Sequence, residues 1–228
     1  MRDPERDSLK DSERLVAGSP KFRRWRDKLK ENGVTLHGYR VLAAISRDGQ
    51  NLFSALLDCD LETSDSRVTR CMFIRGESVS VIPAVRCSDD GDWYALMVEQ
   101  HRFGAGGTLT QEFPSGMVEG DDPRASAVKE LREELGLVVR PEELQPLTRE
   151  PLVLCTSMVD ETVHFFYLIL DRPRAFLDGL EGRSAGLAAE HEYIRIRVQR
   201  MRDVAGNLNF LCPTGVKLLE RALGRMFL

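Results

Sequence analysis

No apolar run in the chain approaches the ~18 residues that a membrane-spanning helix requires. The N-terminal stretch MRDPERDSLKDSERLV is charged throughout and has no apolar signal-peptide core. Cysteine is sparse and unorganised. Cys59, Cys71, Cys87, Cys155 and Cys212 are odd in number and never spaced CxxC, which argues against a zinc knuckle or a disulfide framework. Reduced, buried thiols in a cytosolic-type compartment are the expectation. Positive charge is in deficit: 32 Lys and Arg against 36 Asp and Glu leave a formal net charge of −4. That balance gives no electrostatic case for nucleic acid or an anionic membrane as partner. The four histidines form no ligand spacing.

What is present suits a folded domain. The 228 residues are 42% hydrophobic and 30% charged, enough for one large domain or one domain with a smaller appendage. Residues 1–18 read as a polar, poorly ordered leader. SPKFRRWRDKLKENG reads as a helix, with Ser19 as N-cap, Pro20 in the first turn and Gly33 as the stop. Phe22, Trp25 and Leu29 share its docking face. Residues 34–74 show short apolar runs separated by turn residues, with a hairpin signal at Asp48-Gly49, and predict a small antiparallel sheet unit. Strand-like SVSVIPAV, WYALMVEQHRF and TLTQEF follow, then a helix over 123–135, strand-like ETVHFFYLIL and EYIRIRVQR, and a final helix over Thr214–Met226. Strands and helices mix without regular alternation, which predicts a mixed sheet with helices on its faces.

The chemistry concentrates in GMVEGDDPRASAVKELREELGL, residues 116–137. On a helix Glu130, Glu133 and Glu134 share one face, while Val128, Leu131 and Leu135 form another. The bland reading is a solvated acidic face. The functional reading is a site for a hard, oxygen-seeking cation, because like charges this close repel each other unless a cation intervenes. Gly116, just upstream, permits close backbone approach to a ligand. A second acidic pair, Glu190 and Glu192, lies in the polar segment AAEHEYIR just before a strand, where both could swing over a cleft.

This stretch resembles the Nudix box, G-x5-E-x7-R-E-U-x-E-E-x-G-U with U aliphatic. Lys129 to Leu137 match its second half, with lysine in place of arginine. Asp121 stands where glutamate is expected, and only four residues separate it from Gly116. Lys129 and Asp121 can keep the charge pairing that braces the loop, though not as a bidentate fork. RGESVSVIPAV, YALMVEQHRF and EFPSGM are similar to stretches of the ADP-ribose pyrophosphatases and ADP-sugar diphosphatases, and GLAAEHEYIRIRV to the segment that carries their catalytic loop.

The resemblance implies an α/β/α sandwich with a mixed sheet, preceded by an N-terminal antiparallel sheet extension. Residues 19–74 would then form a helix and a dimerisation sheet, and 75–228 the hydrolase domain. It implies a homodimer acting on a nucleotide sugar, with Mg²⁺ or Mn²⁺, about two or three ions per site, as cofactor. Cytoplasmic location is the default, since no organelle address is legible.

Carried over residue by residue, Glu130 and Glu134 become the principal metal ligands, Glu133 the auxiliary catalytic one, and Ser115 a backbone contributor. Glu190 becomes the general base and Glu192 a further ligand. Glu112 is expected to contact substrate or support the metal shell. Arg75 and Arg102 are candidate phosphate or sugar contacts. Asp160 and Glu161 occupy a substrate-facing loop, but Thr156, Ser157 and Met158 replace the glycines that precede it in relatives.

The leading expectation is an ADP-ribose or ADP-glucose diphosphatase. A UDP-sugar diphosphatase is an alternative on the same scaffold, and a catalytically weak nucleotide-binding module is another. The intact glutamate set argues against a pure binder. The acidic balance argues against mRNA decapping.

Overall fold

The computed structural model describes residues 4–186, 193–207 and 209–227. The chain divides into two compact units: residues 1–77 with 153–163, and residues 78–152 with 164–228.

The first unit begins with helix α1, Pro4–Gly18, in the stretch expected to lack order. Its C-terminal end carries Leu15 and Val16, and Val16 is fully buried in this unit's core. That apolar anchor is too short to register against so polar a sequence. Helix α2, Pro20–Glu31, follows at once, with Pro20 in its first turn. Phe22 is buried from this helix and stacks near Tyr39, ring centroids 4.7 Å apart. Strands β1 (Thr35–Ile45), β2 (Ser54–Glu62) and β3 (Arg67–Ile74) form a three-stranded antiparallel sheet in that order. Along β2, Ala55, Leu57, Cys59 and Leu61 are buried while Asp58 and Asp60 alternate with them toward the opposite face. There Arg40 pairs with Asp58 and Arg67 with Asp60. At the hairpin, Asp48 Oδ1 accepts the N–H groups of Gln50 and Asn51, and Gly49 takes a φ of 74°. The segment 153–163 joins this unit along β3: Phe73 N–H donates to Met158, and Asp160 N–H donates to Phe73.

The second unit is built on a nine-stranded sheet. Its strands are β4 (Glu77–Cys87), β5 (Trp93–Arg102), β6 (Thr108–Glu112), β7 (Ser115–Met117), β8 (Gln145–Pro146), β9 (Leu152–Val153), β10 (Thr162–Arg172), β11 (Ser184–Ala185) and β12 (Ile194–Arg200). The main order is β11-β12-β5-β4-β10-β8, with β6 on β5, β7 on β4 and β9 on β10. Among the described residues it is accompanied by the α-helices α3 (Pro123–Leu135), α4 (Arg174–Asp178), α5 (Met201–Val204) and α6 (Leu211–Leu223).

Side-chain alternation sorts this sheet into two faces. Val79, Val81 and Val85 of β4, with Leu96 and Val98 of β5, pack with Ala127, Leu131 and Leu135 of α3. Ile82 and Ala84 of β4, with Ala95 and Met97 of β5, pack with Val216 and Leu219 of α6. The expected layered arrangement, helix on sheet on helix, is what the chain forms. Pro83 sits inside β4 without breaking it, because β4 changes partner there: residues 78–80 pair with β7 and 84–86 with β5. Helix α6 ends at Leu223 rather than Met226, since Gly224 takes a left-handed φ of 61° and closes it. Among the described residues no helix is long and apolar enough to cross a membrane.

Candidate active site

Helix α3 starts and stops where its sequence dictates. Asp122 caps it by accepting the Arg124 N–H at 2.9 Å, and Pro123 opens the first turn. Gly136, with a φ of 70°, returns its N–H to Arg132 and ends the helix. Leu131 and Leu135 are fully buried against the sheet and fix the helix's rotation about its axis.

That rotation turns two glutamates onto one short piece of backbone. Glu134 is only 3% exposed, and its Oε2 accepts the Ser115 N–H at 3.1 Å. Glu130 lies against Gly116: a Cβ placed there would come within 1.9 Å of Glu130 Oε1. Strand β7 holds this peptide in place by pairing Ser115 with Ser80 and Gly116 with Val79. The Ser115 hydroxyl adds bonds to Ser80 Oγ at 3.0 Å and to the Phe113 carbonyl at 2.7 Å. Glu133, its side chain 17% exposed, lies 3.8 Å from Lys129. A buried Glu134 does not belong to a solvated acidic face.

The bracing of the loop differs from the expected pairing. Lys129 meets Glu119, Nζ to Oε1 at 2.7 Å, and this hydrogen bond raises the lysine's pKa. The shortened loop brings Glu119, not Asp121, to the lysine. The signal available was a second acid in the loop, at Glu119, which the family spacing passed over. Ser126 braces the same loop from inside, accepting the Glu119 N–H at 3.0 Å.

Arg102 and Glu112, ten positions apart, meet across the β5–β6 hairpin. Arg102 Nε lies 2.9 and 3.0 Å from the two carboxylate oxygens, and Nη2 lies 2.5 Å from Oε2. Thr110 Oγ1 donates to Oε1 at 2.5 Å. Burial pushes the Glu112 carboxyl up, but the bonds from Arg102, Thr110 and Asn209 outweigh it and hold the carboxyl below its usual range.

Arg75, Asp160 and Glu161 are brought together in the first unit. Asp160 Oδ1 accepts the N–H groups of Arg75 at 2.6 Å and Gly76 at 3.0 Å, and Arg75 Nε pairs with Glu161 at 3.1 Å. Asp160 therefore bonds main chain rather than offering itself to solvent. Burial raises its pKa, and burial lowers that of nearby Lys21, whose Nζ donates to the Phe53 carbonyl. The expected acidic pair Glu190 and Glu192 lies outside the described residues.

Among the described residues, no three potential ligands are gathered closely enough to hold a metal ion. The donor chemistry still fits a hard divalent cation. Glu130 and Glu134 present carboxylates at one peptide, with Glu133 on the same helix face, and neither histidine nor thiol is among them.

The chain is similar to known proteins in sequence and in fold. The chain is 27% identical over 201 residues to Nudix hydrolase 14, chloroplastic, of Arabidopsis thaliana, a match over 80% of this chain and 64% of that relative. The chain thus spans a little under two thirds of that protein's length. A crystal structure of an ADP compounds hydrolase superposes with a TM-score of 0.59 at 17% identity, covering 84% of this chain and 94% of that one. The NUDIX domain family model matches residues 77–206. With the fold, the capped glutamate helix and a match over more than half its length, the chain belongs to the Nudix hydrolase family.

Proposed function

We propose that the chain is a metal-dependent diphosphatase of nucleoside-diphosphate sugars of the ADP-ribose or ADP-glucose type, releasing AMP and a sugar phosphate. The observation that carries this reading is the convergence of Glu130 and Glu134 on the Ser115-Gly116 peptide. Stability alone gives no reason to bury a glutamate beside two more acids.

Glu130, Glu134 and, from the same helix face, Glu133 would hold Mg²⁺ or Mn²⁺, with Ser115 contributing from β7. A bound divalent cation neutralises the diphosphate and lowers the pKa of the attacking water. Glu190 is assigned as the base that takes the proton from that water, and Glu192 as a further carboxylate of the site. Arg102 supplies positive charge to the diphosphate, and Arg75, Asp160 and Glu161 belong to the substrate-recognition parts of the protein. The three-stranded sheet, with Leu42 and Ile45 of β1 exposed, is assigned to pairing of two copies. A sedimentation coefficient of a monomer would remove that last assignment.

The test of function is a panel of ADP-ribose, ADP-glucose, UDP-glucose and free ADP with Mg²⁺, products resolved by chromatography. AMP and sugar phosphate from the ADP-sugars are the expected result. Preference for UDP-glucose would reassign the substrate, and binding without turnover would make the chain a nucleotide-binding module.

A further inference from the structure

Glu112 is 6% exposed and lies two residues before the Pro114-Ser115 turn into the glutamate site. Its place invites the role of metal or substrate ligand. Its contacts do not leave room for one. A carboxylate has about four acceptor positions. Oε1 already accepts from Thr110 Oγ1 and Arg102 Nε, and Oε2 from Arg102 Nε and Nη2. A cation bound here would displace those donors and sit beside a guanidinium, which like-charge repulsion opposes.

Arg102 is the more exposed member of the pair. Its Nε–Nη2 edge is committed to Glu112, yet its side chain is 44% exposed. A bidentate fork fixes the plane of the guanidinium as well as its position. Thr110 lies two residues from Glu112 on β6, on the same side of the strand, and anchors Oε1 so that the carboxylate cannot rotate away.

We propose that Glu112 is a positioning residue. It holds the Arg102 guanidinium in the orientation that meets the substrate diphosphate, and it does not itself ligate metal. This rests on the functional reading above and goes beyond it, by taking Glu112 out of the metal and substrate shell and giving the selection of the anion to an arginine set by its neighbours.

The experiment compares wild type, Glu112→Gln, Arg102→Ala and the double variant. Three quantities are read: kcat and KM for ADP-ribose with Mg²⁺, calorimetric affinity for ADP-ribose in metal-free buffer, and Mn²⁺ affinity by electron paramagnetic resonance. Glu112→Gln is expected to raise KM and weaken ADP-ribose binding by about tenfold, with Mn²⁺ affinity unchanged within about twofold. The double variant is expected to bind ADP-ribose no worse than Arg102→Ala, because the two residues act as one unit. Loss of Mn²⁺ affinity by tenfold or more in Glu112→Gln, or losses that multiply in the double variant, would overturn the proposal. If Glu112→Gln does not fold, Thr110→Val carries the test. It keeps the charge pair, and a raised KM with unaltered Mn²⁺ affinity supports the proposal while an unaltered KM contradicts it. Wild type that binds ADP-ribose but does not hydrolyse it would sink the diphosphatase reading alone, since the binding comparison still reports on Glu112. Equal ADP-ribose affinity in wild type and Glu112→Gln would sink the positioning role alone.

Discussion

The Glu130 carboxylate lies where a side chain on Gly116 would have to go. A Cβ at that position would come 1.9 Å from Oε1 and 2.3 Å from the carboxyl carbon. The obstacle is the far end of a flexible side chain, not backbone. An added methyl therefore moves the glutamate rather than the fold.

The first prediction follows directly. Gly116→Ala should change stability by less than about 1 kcal/mol, because Glu130 can rotate away. Hydrolysis should nevertheless fall by about tenfold or more, since a displaced ligand misplaces the cation. Thermal melts beside steady-state rates decide it. A variant with unaltered rate would mean that Glu130 does no work at this peptide.

Gly215 offers a contrast in the same unit. A Cβ there would meet Ile82 Cδ1 at 2.9 Å, a Phe113 ring carbon at 3.0 Å and a Phe165 ring carbon at 3.2 Å. These are packed core groups on the sheet face beneath α6. Gly215→Ala should destabilise by about 1 kcal/mol, because crowding three packed core side chains outweighs a helix-propensity gain of about 1 kcal/mol. Gly215→Leu should destabilise by about 2–3 kcal/mol through overpacking. Urea denaturation of both variants reads the difference, and a leucine variant as stable as wild type would show that α6 stands off the sheet.

Asp160 gives a pH dependence with a definite sign. Burial raises its folded pKa above the ordinary carboxylate value, although the N–H groups of Arg75 and Gly76 and the charge of Lys21 oppose the rise. A group raised on folding adds stability that is fully present below its unfolded pKa and is lost as pH rises through its folded pKa. Relative to Asp160→Asn, wild type should therefore lose stability as pH rises from about 4 and level off once the carboxyl is ionised. The asparagine keeps an oxygen to accept both N–H groups. Asp160→Ala should instead cost about 1–3 kcal/mol at every pH, because it leaves the Arg75 and Gly76 N–H groups without that acceptor. Parallel pH profiles for wild type and Asp160→Asn would contradict the assignment.

Much of this architecture is written locally. The helix expected over 123–135 forms with those bounds, because caps and stops such as Asp122 and Gly136 act within a turn of the residues that encode them. The alternation of Ile194, Ile196 and Val198 with polar neighbours marked β12 for the same reason. The features that escaped are those set by distance in sequence or by register. Asp160 bonds the main chain at Arg75 and Gly76, some 85 positions away, and no local pattern announces that. That Arg102 pairs with Glu112 depends on the β5–β6 register. Lys129 chose Glu119 over the residue that family spacing favoured, because the loop is one residue short. Helix α1 escaped because its apolar anchor is only Leu15 and Val16 at the end of a charged stretch.

The central claim is that the α3 carboxylates serve a divalent cation in diphosphate cleavage. The measurement that tests it most directly is ADP-ribose turnover by wild type in Mg²⁺, repeated in excess chelator and again after Mg²⁺ is restored. The account predicts AMP formation with Mg²⁺, its loss in chelator by at least about a hundredfold, and its return on restoration. Turnover that persists undiminished in excess chelator would contradict it.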